Sequence, residues 1–88
     1  MGCEVHVPSP LRTYTEGRAR VAAAGGTVGE LLRDVDRQFP GMRFRMIDEH
    51  DRIRAHIRVF VNSVEVSSLD HALRERDSVH LVCALSGG

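Results

Sequence analysis

Two cysteines and two of the five histidines stand at ligand-like spacings, Cys3-x-x-His6 near the start and His80-x-x-Cys83 near the end. Thiolate and imidazole donors at that separation suit a tetrahedral zinc site when a knuckle or a helix turns both toward one ion. Here each pair falls in a run that alternates apolar and polar residues, which predicts a β-strand. Residues three apart in a strand point to opposite faces, and neither pair contains a glycine to make a knuckle, so no metal site is expected. A bridge between the two cysteines is not expected either. In parallel neighbouring strands Cys3 would begin one strand and Cys83 end the other, an offset of about 15 Å at strand rise, whereas a disulfide needs Cα atoms within about 7 Å. Both thiols are therefore expected to be free. Cys83 shares the phase of Val79, Leu81 and Leu85 and reads as a small core residue rather than a nucleophile. The histidines are scattered, with no Ser/His/Asp or paired-carboxylate arrangement, so the sequence does not suggest an ordinary enzyme.

The remaining candidate is the C-terminus. A strand that continues as Ser86-Gly87-Gly88 predicts a thin, flexible extension with no side chain beyond Ser86, able to enter a narrow channel on another protein. Its terminal carboxylate is sterically bare. By residue physics alone, a presented reactive end and an ordinary frayed terminus fit equally well.

The elements that must carry this tail are legible in the pattern. Cys3, Val5 and Val7 alternate with Glu4 and His6 as a first strand. Pro8 and Pro10 interrupt pairing, Ser9 to Gly17 reads as an irregular connection, and Arg18 to Ala23 is a second short strand. Thr27-Val-Gly-Glu30 has the capping-box form of a helix start. Val28, Leu31, Leu32, Val35 and Phe39 then lie on one stripe, and Pro40-Gly41 ends the helix. Met42 to Ile57 reads as a helical turn followed by an exposed loop. Arg58 to Asn62 is a strand, Asn62-Ser63 its turn and Val64 to Val66 the return. Leu69 and Leu73, four apart, predict one helical turn. Val79 to Leu85 forms a last strand that runs into the tail. The order fits an α+β roll of the β-grasp type, with a mixed sheet of four to five strands, one main helix on one face, and the first and last strands side by side in parallel. The domain is expected over residues 1–85 and the tail over 86–88.

Composition narrows the function classes. The chain has 88 residues, 42% of them hydrophobic, 27% charged, with a formal net charge of zero. That length supports one core. Twelve basic residues balance twelve acidic ones without a basic block, which argues against a nucleic-acid partner. All twelve are arginine. The absence of lysine suits a chain whose C-terminus becomes an activated acyl group, since it offers no side-chain amine to attack it, although a GC-rich genome would produce the same bias. No stretch approaches the about 18 apolar residues of a membrane span, and no signal-peptide pattern opens the chain, so the expected location is the cytoplasm, without membrane attachment.

The run Asp77-Ser-Val-His-Leu-Val-Cys-Ala-Leu-Ser-Gly-Gly88 resembles the end of ubiquitin and of the ThiS/MoaD family of ubiquitin-like sulfur carriers. Thr27-Val-Gly-Glu-Leu-Leu, Phe39-Pro-Gly-Met and Arg58-Val-Phe-Val-Asn62 are similar to the helix, helix stop and central strand of that family. Met42 to Ile57 resembles the longer middle region of the actinobacterial carriers used in cysteine synthesis. The resemblance implies that Gly88 is the site of an acyl-adenylate and then a thiocarboxylate. Ser86, Gly87 and Leu85 would form the reactive tail and its neck, and His80, Val82 and Ala84, with Leu85, would meet partners on the face away from the helix. It also implies a ubiquitin-activating-type adenylyltransferase that uses ATP and magnesium, and an enzyme that accepts the sulfur; the chain itself, expected to be a monomer alone, would bind no cofactor. A molybdopterin synthase small subunit and a ubiquitin-like protein modifier are the other roles the resemblance leaves open. Two positions depart from the family pattern. Arg76-Asp77 stands where Gly-Asp is common, and Cys83 where a proline often lies near the end of the last strand.

Overall fold

The computed structural model describes residues 2–84. Strand β1 (Cys3–His6) is followed by a 3-10 helix (Ser9–Thr15) and strand β2 (Arg20–Ala23). Helices α1 (Val28–Gln38) and α2 (Met42–Met46) come next, then strands β3 (Ile57–Val61), β4 (Val64–Val66) and β5 (Ser78–Cys83). The five strands form one mixed sheet in the order β2-β1-β5-β3-β4. β1 and β5 pair in parallel at its centre, and the outer pairs are antiparallel hairpins.

The helix covers one face of this sheet. Val28, Leu31, Leu32 and Val35 are all buried, as their spacing predicts, against Cys3, Val5, Val59, Val79 and Leu81 from the strands. Burying an aliphatic side chain of that size stabilises the fold by about 1.5–3 kcal/mol, so this stripe is the main source of cohesion in a small domain. Phe39, the fifth member of the predicted stripe, is the C-cap and only half buried. Met42, Met46 and Ile47 close the end of the core, while Phe44 on the other side of the same turn is exposed.

The two helix starts differ from simple expectation in an informative way. Thr27 Oγ1 accepts from Glu30 N at 3.2 Å, but the Glu30 carboxylate accepts from Gly26 N at 2.8 Å, one residue earlier than in a standard capping box. The connection between β1 and β2, expected to be irregular, is a 3-10 helix. Pro10 presets the helical φ where no N–H is needed, and Leu11 and Thr15 bury on its inner side. Thr15 Oγ1 donates to Arg18 O at 2.8 Å, and Glu16 and Gly17, at φ of 58° and 82°, turn the chain back.

One predicted element is reduced to a single turn. No helix forms over Leu69 to Leu73: one hydrogen-bonded turn, His71 N to Ser68 O at 3.3 Å, leads into an extended segment laid across the start of α1. Gly29 N donates to Leu69 O at 2.8 Å, Val28 N to His71 O at 3.0 Å, and Leu73 N to Gly26 O at 2.9 Å. The first N–H groups of an α-helix lack partners inside it, and this segment supplies their acceptors. Leu69 and Leu73 still reach the core, which accounts for their spacing without a helix.

Candidate functional site at the end of the central strand

β5 presents the C-terminus, and its neighbours determine how far it is held. Pairing with β1 runs as far as His6 and His80, pairing with β3 continues to Ile57 and Cys83, and Ala84 N donates to His56 O at 2.7 Å. The strand is thus gripped on both sides up to His80 and on one side up to Ala84. The start of β5 is equally fixed. Asn62 Nδ2 donates to Asp77 Oδ1 at 2.8 Å, Ser78 N to Asn62 Oδ1 at 2.9 Å, and Arg74 N to Asp77 Oδ2 at 2.8 Å. The Arg74 N–H, followed by the Asn62 amide, holds the Asp77 carboxyl below its ordinary pKa. Asn62 and Ser63 have φ of 49° and 74°, the paired left-handed turn that suits a two-residue hairpin.

The sheet face opposite α1 carries two of the predicted partner residues. His80 is half buried there and Val82 is 39% exposed. Ala84 is half buried at the end of the pairing. Leu85, Ser86, Gly87 and Gly88 lie outside the described residues, and so does the expected domain limit at residue 85. Strand register aligns Arg20, His6, His80, Phe60 and Glu65 in one row across all five strands. The rings of His6 and His80 stack with centroids 3.9 Å apart and planes 8° from parallel, and His6 Nε2 lies 3.0 Å from Glu4 Oε1. Burial, and then the neighbouring His6, hold the His80 pKa below that of a free imidazole, with Glu4 opposing. The sequence offers His6 only as a candidate metal ligand and does not assign His6 or Phe60 to the partner residues of this face. The signal was available, since both occupy out-of-phase positions on strands that flank β5.

The cysteines follow the strand geometry. Cys3 is buried in the core while His6 lies on the open face, and Cys83 packs against the core while His80 does not. Val5 is level with Val79, which sets Cys3 near Asp77 and far short of Cys83. Both thiols are free. Burial pushes the Cys83 thiol pKa up, which disfavours the thiolate. Cys83 is only half buried, however, and helps line a shallow groove with Pro10, Leu11, Tyr14, Arg45 and His56 beside Ala84. Among the described residues no group of three or more His, Cys, Asp or Glu side chains is placed to hold a metal ion. No helix among them is long and apolar enough to cross a membrane.

A mixed five-stranded sheet with parallel central strands and one main helix packed across it is a ubiquitin-like β-grasp fold. Residues 5–88 match the ThiS family, and the chain belongs to that family. It is 30% identical over 93 aligned residues to the sulfur carrier protein CysO of Mycobacterium tuberculosis, with both chains covered in full. Among solved structures, it is similar to a chain of the Amycolatopsis orientalis BexX/CysO complex, at 31% identity and a TM-score of 0.92, covering 99% of this chain and 100% of that one. Mycobacterium tuberculosis CysO itself superposes at a TM-score of 0.91 with 27% identity, covering 96% and 100%. SAMP1 from Haloferax volcanii matches at 0.79 with 26% identity, covering 98% of each chain.

Proposed function

We propose that this chain is a sulfur carrier whose working group is the Gly88 carboxylate. The observation that carries the reading is the full-length likeness to CysO sulfur carriers, within a ThiS-family match that extends to Gly88 itself. The fold supports it. β5 is held in register to Ala84, so the four residues beyond can extend the carboxylate about 13 Å from the last hydrogen bond at full reach. That is long enough to enter a narrow cleft and short enough to require the partner's surface to rest against the domain.

A carboxylate is a poor electrophile because its negative charge repels nucleophiles and oxide is a poor leaving group. In the cycle we infer, an adenylyltransferase joins the carboxylate to the AMP part of magnesium-bound ATP and releases pyrophosphate. Hydrosulfide then attacks the carbonyl carbon and AMP leaves, giving a thiocarboxylate at Gly88. At a second enzyme, in a cytoplasmic biosynthetic pathway to cysteine or another sulfur-containing metabolite, the thiocarboxylate sulfur bonds to the acceptor, and water then cleaves the acyl–sulfur bond to return the carboxylate. The chain acts throughout as co-substrate. Val82, His80 and Ala84 supply the face on which these enzymes settle, and Leu85 and Ser86 the neck they close around. The formation of a complex between BexX and a similar chain is consistent with such docking.

One truncation tests the reading. Removing Gly88 is expected to leave the thermal midpoint unchanged and to abolish ATP–pyrophosphate exchange by a ubiquitin-activating-type adenylyltransferase that activates the full chain. Full exchange activity without Gly88 would place the activated group elsewhere.

A further inference from the structure

A groove borders the sheet face just described, sharing with it Glu65 and Arg58, which is level with Val82 on β5. It runs between the first turns of α1, the segment after α2, and the chain leaving β4, and offers about 960 Å³. Five of the chain's twelve arginines line it: Arg33, Arg43, Arg52, Arg54 and Arg58. A chain of zero net charge thus gathers a large share of its cations in one place.

Four carboxylates share the lining, and most are already engaged. Asp51 pairs with Arg43 at 3.0 Å, Glu65 with Arg58 at 3.1 Å, and Glu30 accepts from Gly26 N. Among the described residues Arg33 and Arg52 have no ion pair. Arg54 spends its Nε–H on Phe44 O at 2.8 Å and lies 4.7 Å from the centroid of that exposed ring. Arg43 Nε is enclosed and has no acceptor, so this guanidinium is one hydrogen bond short. An unmade bond at a buried charged donor is costly, and planar guanidinium forks match carboxylates in bidentate geometry. Among the described residues the groove is left with three arginines that have no ion pair, Arg33, Arg52 and Arg54, against one carboxylate without a partner, Asp70.

Its position selects the occupant. The wall formed by residues 52–55, 57 and 58 leads into β3, where Ile57 pairs with Cys83 and Arg58 with Val82. An enzyme that settles on Val82 to receive Gly88 would meet Arg58, at the edge of this groove. We propose that the arginine groove is a second docking site, which grips an acidic, carboxylate-bearing segment of an enzyme that acts on the tail. This rests on the carrier reading, but the groove's chemistry can be examined apart from the tail.

The test follows amide NMR shifts of the full chain, and of a chain lacking Gly87 and Gly88, titrated separately with hexaglutamate peptide and with inorganic pyrophosphate. Hexaglutamate is expected to move Gly29, Arg33 and residues 52–55 equally in both chains. The Arg33→Gln/Arg52→Gln double substitution should weaken it about tenfold, the loss of roughly one charge-assisted contact, while Arg20→Gln, on β2 at the opposite edge of the sheet, leaves it unchanged. Shifts centred on His6, His80 and Arg20, or equal weakening by Arg20→Gln, would overturn the proposal, as would a groove that binds pyrophosphate but not hexaglutamate. Because the truncated chain cannot be activated, groove binding and carrier chemistry fail independently.

Discussion

His6 and His80 sit directly opposite each other on the two parallel central strands, their rings stacked 3.9 Å apart on the open face of the sheet. Two imidazoles that close cannot both take a proton without repulsion. Glu4 stands beside His6 on β1, Phe60 is the neighbour on β3, and His80 itself is held below its ordinary pKa of 6.5 by burial and then by His6. Acidification therefore protonates the unfolded chain before the folded one. The stability linked to neutral His80 is present above about pH 6.5 and is lost as the pH falls through its lowered folded value. Asp34, Asp48 and Asp77 are also held low, but their losses begin only near the ordinary carboxylate value of 3.8. The thermal midpoint should fall from about pH 7.5 to about pH 5.5, and His80→Gln should flatten that fall. An unchanged slope in the variant would remove His80 as its cause.

Arg76 has a φ of 71°, in the left-handed region, while its N–H donates to Gly2 O at 2.8 Å. A residue with a Cβ in that region costs roughly 1 kcal/mol that glycine avoids. Arg76→Gly should raise stability by about 1 kcal/mol in urea unfolding, whereas Arg76→Ala, which keeps the Cβ, should gain little. Equal effects of the two substitutions would show that the gain came from removing the charge.

Thr27 caps α1 through Glu30 N. Thr27→Ala should cost about 1 kcal/mol, and Thr27→Ser, which keeps the acceptor, should restore most of it. Chemical unfolding of the three chains compares them directly. A loss of the same size in the serine variant would place the contribution in the methyl group instead.

Val82 is exposed on the face where partners are proposed to settle. Val82→Asp should change stability by about 0.5 kcal/mol or less, yet slow adenylation measured by pyrophosphate release. An unaffected rate would move the docking face elsewhere.

The sequence made the strands and α1 readable because each buries one face only, so alternation and the 28-31-32-35 stripe record the core directly. The Leu69 to Leu73 segment misled for the same reason. Two core contacts four residues apart look helical, and nothing local reveals that the intervening carbonyls serve the start of α1. The connection after Pro10 was similarly opaque, because 3-10 turns have little periodic signal. The His6–His80 stack depends on register between strands more than seventy residues apart in the chain, and the arginine groove assembles residues from four segments. Such placements belong to the tertiary fold. Gly88, by contrast, was legible as a candidate from its position alone, and family membership supports that reading without describing its surroundings.

Intact mass spectrometry of this chain tests the central claim most directly, after incubation with a neighbouring adenylyltransferase, magnesium ATP and a sulfide donor. The account predicts a mass increase equal to exchange of one oxygen for sulfur, located by fragmentation at Gly88 and lost when ATP is omitted. An unchanged mass under conditions where the enzyme demonstrably adenylates Gly88, or sulfur found on Cys3 or Cys83 instead, would contradict it.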